Sequence, residues 1–382
     1  MKKLNKETLK NNNENRVNAD IDKGNISGSI CLVMQDGEVL YKGIFGVKTP
    51  GTDIPLSEDA IFRMASMTKP ITTVAAMILA DRGLLSITDK VSKYIPEFAS
   101  MEISELSEDG KLLGTHPAKN EITIKNLLSH SSGIGTGNTQ ALPEGGKDAH
   151  EKKTLREAVS EYSRSLLDFE PETNASYSPF GAFDVMARII ELVSGVEYEE
   201  FLRKEIFEPC RMVDTTFEPT PKQWERMITM HNKVDGKSVI GNFWEGCVFT
   251  NVPTSHKLGG AGLISTLADY CNFATMLANG GEIFGNRILS EDAIAQMSKR
   301  QLTKEANPCG DIWGLGVRVV YEESGCALPL GSFGWSGAFG THFWVDRENK
   351  IIGIYMKNSN YDGGSGATTS INFEKDVVAS FE

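Results

Sequence analysis

Strand-forming runs crowd both ends of this chain, and helical periodicity fills the middle. Residues 29–47 read SICLVMQDGEVLYKGIFGV, two β-rich runs around Asp36-Gly37, a type I′ hairpin signal. Four more strand candidates follow at 313–321, 331–337, 341–345 and 350–356, the last two joined by the polar turn Asp346-Arg347-Glu348-Asn349. Parallel strands need long crossovers, so these short connections imply antiparallel pairing. Residues 71–83, 155–165, 182–195, 198–206 and 265–279 space their apolar residues helically, and 370–381 reads as a closing helix. Strand signals are sparse from about 70 to 255. The expected fold class is therefore α+β, an α/β sandwich. An antiparallel sheet of five or more strands is flanked by helices, and a mostly helical lobe is inserted between the two halves of the sheet. At 382 residues the chain exceeds one ordinary core. The expected division is a flexible extension over 1–19, a sheet lobe from 20–75 with 255–382, and a helical lobe over 76–254. A cleft between the lobes would hold the active site.

Composition removes several function classes. There are 39 Lys plus Arg against 51 Asp plus Glu, a net charge of −12, which repels a phosphate backbone, so no nucleic-acid partner is expected. No apolar run reaches membrane-span length, so no membrane association is expected either. The basic start MKKLNKETLK is not followed by the apolar core of a signal peptide, and the six cysteines show no C-x-x-C; both suit the cytoplasm. The six histidines are scattered, with no H-E-x-x-H, so neither a metal nor a cofactor is expected. G-x-S-x-G and the phosphate-binding G-x-x-x-x-G-K-[ST] are both absent.

One nucleophile candidate remains. Ser66-Met67-Thr68-Lys69 is the single S-x-x-K of the chain, followed by Pro70 and a helical apolar stripe from Ile71 to Leu79. Three residues along a helix place Lys69 on the same face as Ser66. A serine hydroxyl needs a base, and a partly buried lysine has a lowered pKa that lets it serve. Tyr177-Ser178-Pro179 precedes another apolar helix, where the phenol of Tyr177 can face a cleft and move protons. The third stretch runs Gly334-Trp335-Ser336-Gly337-Ala338-Phe339-Gly340, with small residues that let a substrate lie against strand backbone.

In this order and separation the three stretches resemble the penicillin-binding serine hydrolases: class C β-lactamases, D-alanyl-D-alanine peptidases and, most closely, family VIII carboxylesterases. Leu127-Leu128-Ser129-His130-Ser131-Ser132-Gly133 and Gly260-Ala261-Gly262-Leu263-Ile264-Ser265-Thr266 extend the likeness over nearly the whole chain. The resemblance implies a β-lactamase/transpeptidase-like fold. It makes Ser66 the acylated nucleophile, Lys69 and Tyr177 a coupled proton-transfer pair, and the N–H groups of Ser66 and Ala338 the oxyanion hole. Trp335, Ser336 and Gly337 become substrate-binding residues. His130, His342 and Asp184 read as structural.

Two departures narrow the expectation. Pro179 stands where β-lactamases carry the Asn of Y-x-N, and Trp335 where they carry the Lys of K-[ST]-G. The first removes an amide donor and the second a cation for the substrate carboxylate. An uncharged small-molecule ester suits that site, so the expected activity is hydrolysis of short-chain carboxylic esters through a Ser66 acyl-enzyme. The alternatives are a β-lactamase or D-amino-acid peptidase, an acyltransferase, and a silent ligand-binding module. The loop at 135–148 and the stretch 224–253 are expected to shape the acyl pocket.

Overall fold

The hairpin at Asp36-Gly37 forms as its dipeptide dictates, with both residues at positive φ (51° and 83°). In the computed structural model, which describes residues 1–136, 154–241, 254, 256–307 and 312–382, it joins strands β1 (Gly28–Gln35) and β2 (Glu38–Gly46). Late in the chain come β3 (Arg318–Val319), β4 (Phe333–Ser336), β5 (His342–Asp346) and β6 (Ile351–Met356). The six make one sheet in the order β3-β4-β5-β6-β1-β2, antiparallel at every pairing. The first and last segments of the chain meet at β1 and β6, where Ile30 faces Met356 and Gln35 faces Ile351.

Alternation along these strands sorts the two faces. Ile30, Leu32, Phe343, Ile352 and Ile354 join the larger core with helices α2 (Thr68–Asp81), α3 (Gly181–Ser194) and α4 (Leu267–Ala278), so apolar packing is continuous from sheet to helical lobe. Helix α3 ends where its sequence says it must, at Gly195 with φ of 75°. Cys31, Val33, Trp344, Ile351 and Tyr355 line the opposite face, covered by helix α5 (Thr368–Val378).

Three sequence expectations are corrected. Residues 1–19 are not a flexible extension: Lys6–Asp22 form helix α1, capped by the Asn5 side chain and packed on the sheet face beside α5. Its buried residues are Leu9, Asn13 and Val17, and Arg16 makes a bidentate ion pair with Asp376 of α5. Only Leu9, Val17 and the half-buried Ile21 hold this helix down, a stripe too narrow to register as a period among so many Asn, Lys and Glu. The run at 313–321 yields only Arg318–Val319 as strand, because Gly316 turns at φ 65° to bring backbone against α2; a Cβ there would lie 1.9 Å from Thr73 Oγ1. Finally, the middle of the chain holds two small hairpins, Glu102–Leu106 with Leu112–Pro117 and His231–Val234 with Lys237–Ile240. The second turns on Asp235-Gly236, both at positive φ, a signal as readable as Asp36-Gly37.

Leu9→Ala should lower unfolding free energy by about 2–5 kcal/mol, while Lys10→Ala on the exposed side changes it by less than about 0.5 kcal/mol. Equal urea midpoints for the two variants would contradict a packed N-terminal helix.

Candidate active site

The chain approaches Ser66 along the short strand Phe62–Arg63, which pairs with Ile264–Ser265. Ala65 then takes φ of 46°, an unusual conformation for a residue with a side chain, of the kind that clusters at functional sites. Ser66 lies in the one-turn 3-10 helix Ala65–Met67 that runs directly into α2. Lys69 falls in the first turn of α2, fully buried, with its Nζ 3.4 Å from Ser66 Oγ.

The surroundings of Lys69 explain what that amine can do. Its Nζ donates to the carbonyl oxygens of Pro179 (2.7 Å) and Gly260 (2.9 Å), and lies 4.8 Å and 5.3 Å from the ring centres of Tyr177 and Phe183. Burial pulls its pKa down to about 7, partly opposed by the negative charge of Asp184. A neutral amine has two hydrogens and one lone pair. With both hydrogens given to the carbonyls, the lone pair is left for the Ser66 hydroxyl. The position of Gly260 admits no side chain, since a Cβ would stand 2.6 Å from Pro179 O and 3.0 Å from Lys69 Nζ. Asp184, wholly buried on α3, anchors this segment: one carboxylate oxygen accepts from Gly259 N–H (2.8 Å) and the other pairs with His256 Nε2 (3.0 Å).

Tyr177 completes the hydroxyl's environment, its Oη donating to Ser66 Oγ at 2.6 Å. The Tyr177 ring rests on His130 (4.6 Å), Trp335 (5.6 Å) and Trp313 (5.9 Å, stacked). His130 Nδ1 accepts the Ser178 N–H at 3.0 Å, so the neutral ring carries its proton on Nε2. Burial, with the charge of nearby Lys69, holds His130 well below the ordinary histidine pKa. This histidine orients the tyrosine segment.

The third stretch lies against the turn that carries Ser66. After Ser336 the chain reverses tightly: Gly337 N–H donates to Thr341 O (2.7 Å) and Gly340 N–H to Gly337 O (2.9 Å). A Cβ on Gly337 would fall 2.3 Å from Met64 O, and the Thr341 hydroxyl donates to that same carbonyl at 3.2 Å. Ala338 packs on the small cluster of Ala65, Met230 and Phe339, beside Ser66. Trp335 presents its indole to Trp313 and Tyr177. Ser336 turns to the other face of the sheet, its hydroxyl 2.8 Å from His342 Nδ1; His342 Nε2 is 3.0 Å from Glu374 of α5, which also pairs with Arg318.

The structure thus brings Ser66, Lys69, Tyr177, Trp335, Gly337 and Ala338 together, and keeps His342 and the Ser336 side chain behind the strand. Sequence reasoning missed the two carbonyl acceptors, because backbone oxygens leave no residue signature; Gly260 was the readable hint. Trp313, which reads in the sequence as an ordinary strand residue, is a further member of the site through its stack on Tyr177. Of the segments expected to shape the acyl pocket, 137–148 and 242–253 lie outside the described residues, while 224–240 holds the end of the helix Pro221–Arg226 and the hairpin His231–Val234 with Lys237–Ile240. Among the described residues, no group of three or more His, Cys, Asp or Glu side chains is placed to hold a metal ion, and no helix is long and apolar enough to cross a membrane.

A serine joined to a buried lysine and a tyrosine, between an antiparallel sheet and a helical lobe, is the arrangement of the β-lactamase-fold serine hydrolases. The chain belongs to the β-lactamase family, whose model matches residues 13–372. Among curated proteins it is 29% identical to Protein Rv1367c of Mycobacterium tuberculosis over 354 residues, covering 88% of this chain and 86% of that protein. It is also 29% identical to the lovastatin esterase of Penicillium rubens over 378 residues, covering 88% and 90%. Among solved structures, EstCE1, described as a hydrolase with promiscuous acyltransferase activity, superposes with a TM-score of 0.81 at 23% identity, covering 98% of this chain and 99% of that one.

Two outcomes test this geometry. Activity should rise as pH passes through about 7, where Lys69 loses its proton, and level off above. Gly260→Ala, which pushes on both Lys69 and its acceptor, should cut turnover by about a hundredfold with the fold retained by circular dichroism. Full activity in Gly260→Ala would contradict the tight seat of the amine.

Proposed function

We propose that this protein is a serine carboxylesterase acting on uncharged esters, short acyl chains first. Ser66 Oγ attacks the ester carbonyl as its proton passes to the Lys69/Tyr177 pair. The carbonyl oxygen, now negative, rests on the N–H groups of Ser66 and Ala338. The tetrahedral intermediate collapses, the carbon–oxygen bond to the alcohol breaks, and the pair delivers the proton to that leaving oxygen. Water then attacks the acyl-serine and gives a proton to the same pair; the bond from the acyl carbon to Ser66 Oγ breaks, the pair returns that proton to Oγ, and the carboxylic acid leaves.

The observation that carries the reading is the Ser66 hydroxyl held 2.6 Å from Tyr177 Oη and 3.4 Å from a buried amine. The substrate class rests on Trp335. An indole in the cation's place offers no charge for a carboxylate but a broad apolar face for an ester. The relative named lovastatin esterase is, by its name, an ester hydrolase, and the described EstCE1 activity makes transfer to an alcohol a natural companion test.

A p-nitrophenyl ester series from acetate to decanoate, run beside nitrocefin and with added alcohol acceptors, separates the readings. The expected result is hydrolysis greatest at short chain length and at most slow nitrocefin opening. Fast nitrocefin turnover with inert esters would make the protein a β-lactamase instead. Ser66→Ala should lose about a thousandfold or more in kcat while remaining folded. A fluorophosphonate should add to the wild type at Ser66, seen by mass spectrometry.

A further inference from the structure

The second oxyanion donor, Ala338, lies in a turn that does not hold itself. By planarity, the direction of the Ala338 N–H is set by the carbonyl of Gly337, which shares its peptide plane and points the opposite way. That carbonyl accepts from Gly340 N–H within the turn and also from Gly364 N–H, 3.1 Å away. The next two residues of the turn meet the same outside segment. The Phe339 carbonyl accepts from Ser359 N–H at 2.8 Å, and Gly363 lies so close to Ala338 O that a Cβ would be 2.1 Å from it.

The same segment grips the other half of the site. Asn358 clamps the backbone of Arg63, three residues before Ser66: its Oδ1 accepts from Arg63 N–H (2.9 Å) and its Nδ2 donates to Arg63 O (3.1 Å). One stretch of chain therefore touches both strands that present the oxyanion N–H groups. The stretch is itself pinned from below. Lys357, wholly buried, donates from Nζ to Asp362 (2.6 Å) and to the Thr369 hydroxyl (2.6 Å). Asp362 also accepts the N–H groups of Thr368 (2.6 Å) and Thr369 (3.0 Å), tying the stretch to the start of α5. Gly340 fits only because it lacks a side chain; a Cβ would be 2.2 Å from Lys357 Cε. Burial lowers the Lys357 pKa to about 8, with Asp362 holding it up, so the pair is charged at neutral pH.

We propose that residues 357–364 form a brace that fixes the separation and direction of the two oxyanion N–H groups, with Lys357, through Asp362, as its positioning residue. The inference rests on the ester-hydrolase reading, and on Ala338 as an oxyanion donor. A brace of this kind touches no substrate. Its loss should weaken the transition state and leave ground-state binding alone, so kcat and kcat/KM fall together while KM holds.

The test uses full-length wild type, Lys357→Met and Gly363→Ala. Gly363→Ala presses on Ala338 without breaking the buried ion pair, and so answers the question should Lys357→Met fail to fold. Each protein is titrated for active sites with fluorophosphonate, then assayed on p-nitrophenyl acetate and on the thiono ester with sulfur in place of the carbonyl oxygen. Sulfur is larger and accepts hydrogen bonds poorly, so the preference for oxygen over sulfur, corrected for the hydroxide rates, reports the oxyanion hole. The expected result is a large preference in wild type that falls about tenfold or more in the variants, with kcat reduced about ten- to a hundredfold at unchanged KM. A variant with lowered melting temperature but wild-type preference and kcat overturns the brace and leaves the esterase reading standing. Absence of any fluorophosphonate adduct at Ser66 in wild type overturns both.

Discussion

Everything at the site depends on where the hydrogens of one amine go. Lys69 is buried beneath Ser66 with two carbonyl oxygens, from Pro179 and Gly260, within hydrogen-bond reach. Those carbonyls belong to different parts of the helical lobe and its return to the sheet. Each is delivered by its own device: the tyrosine segment seated on His130 Nδ1, and the glycine pair seated on Asp184. Helix α2 supplies the amine, the lobe supplies its acceptors, and the sheet supplies the turn of Ala338. The seat of the amine exists only when all three meet, across a core that runs unbroken from strands to helices.

Much of this was legible in the sequence because it is local. A hydroxyl and an amine three residues apart announce themselves, as do a Tyr before an apolar helix and a glycine-rich turn after a strand. The Asp36-Gly37 hairpin and the strands around the 346–349 turn formed where their residues said. What escaped was whatever depends on distant partners. Helix Lys6–Asp22 is stabilised by the sheet face it covers and by Asp376, some 360 residues away, and little in its own polar sequence favours it. The role of Gly260 is a contact with residue 69, and that of Trp313 a stack on residue 177; neither separation has a pattern. The 313–321 run misled because its β-branched residues reported burial while its two glycines reported close packing, Gly316 on α2 and Gly314 on the Met297 carbonyl.

The departures from the β-lactamase pattern also make sense together. Pro179 offers no side-chain amide, but its carbonyl is one of the two that hold Lys69, a duty any residue type could perform. Trp335 meets Trp313 edge to face and Tyr177 at a tilt, so the wall is closed by aromatic contact. Taking away a positive charge beside Lys69 also favours keeping its proton, which burial must then outweigh.

The buried amine has a cost that falls on the whole molecule. An unfolded Lys69 holds its proton up to its ordinary pKa of 10.5, whereas the folded one releases it near 7. Between those values the folded chain binds fewer protons, so folding becomes more favourable as pH rises through that window and loses that gain as pH falls back toward 7. Under the proposed mechanism, selection for turnover and selection for durability therefore pull this position in opposite directions. Methionine at 69, inert on that mechanism, would be the substitution toward which selection for heat resistance alone is drawn.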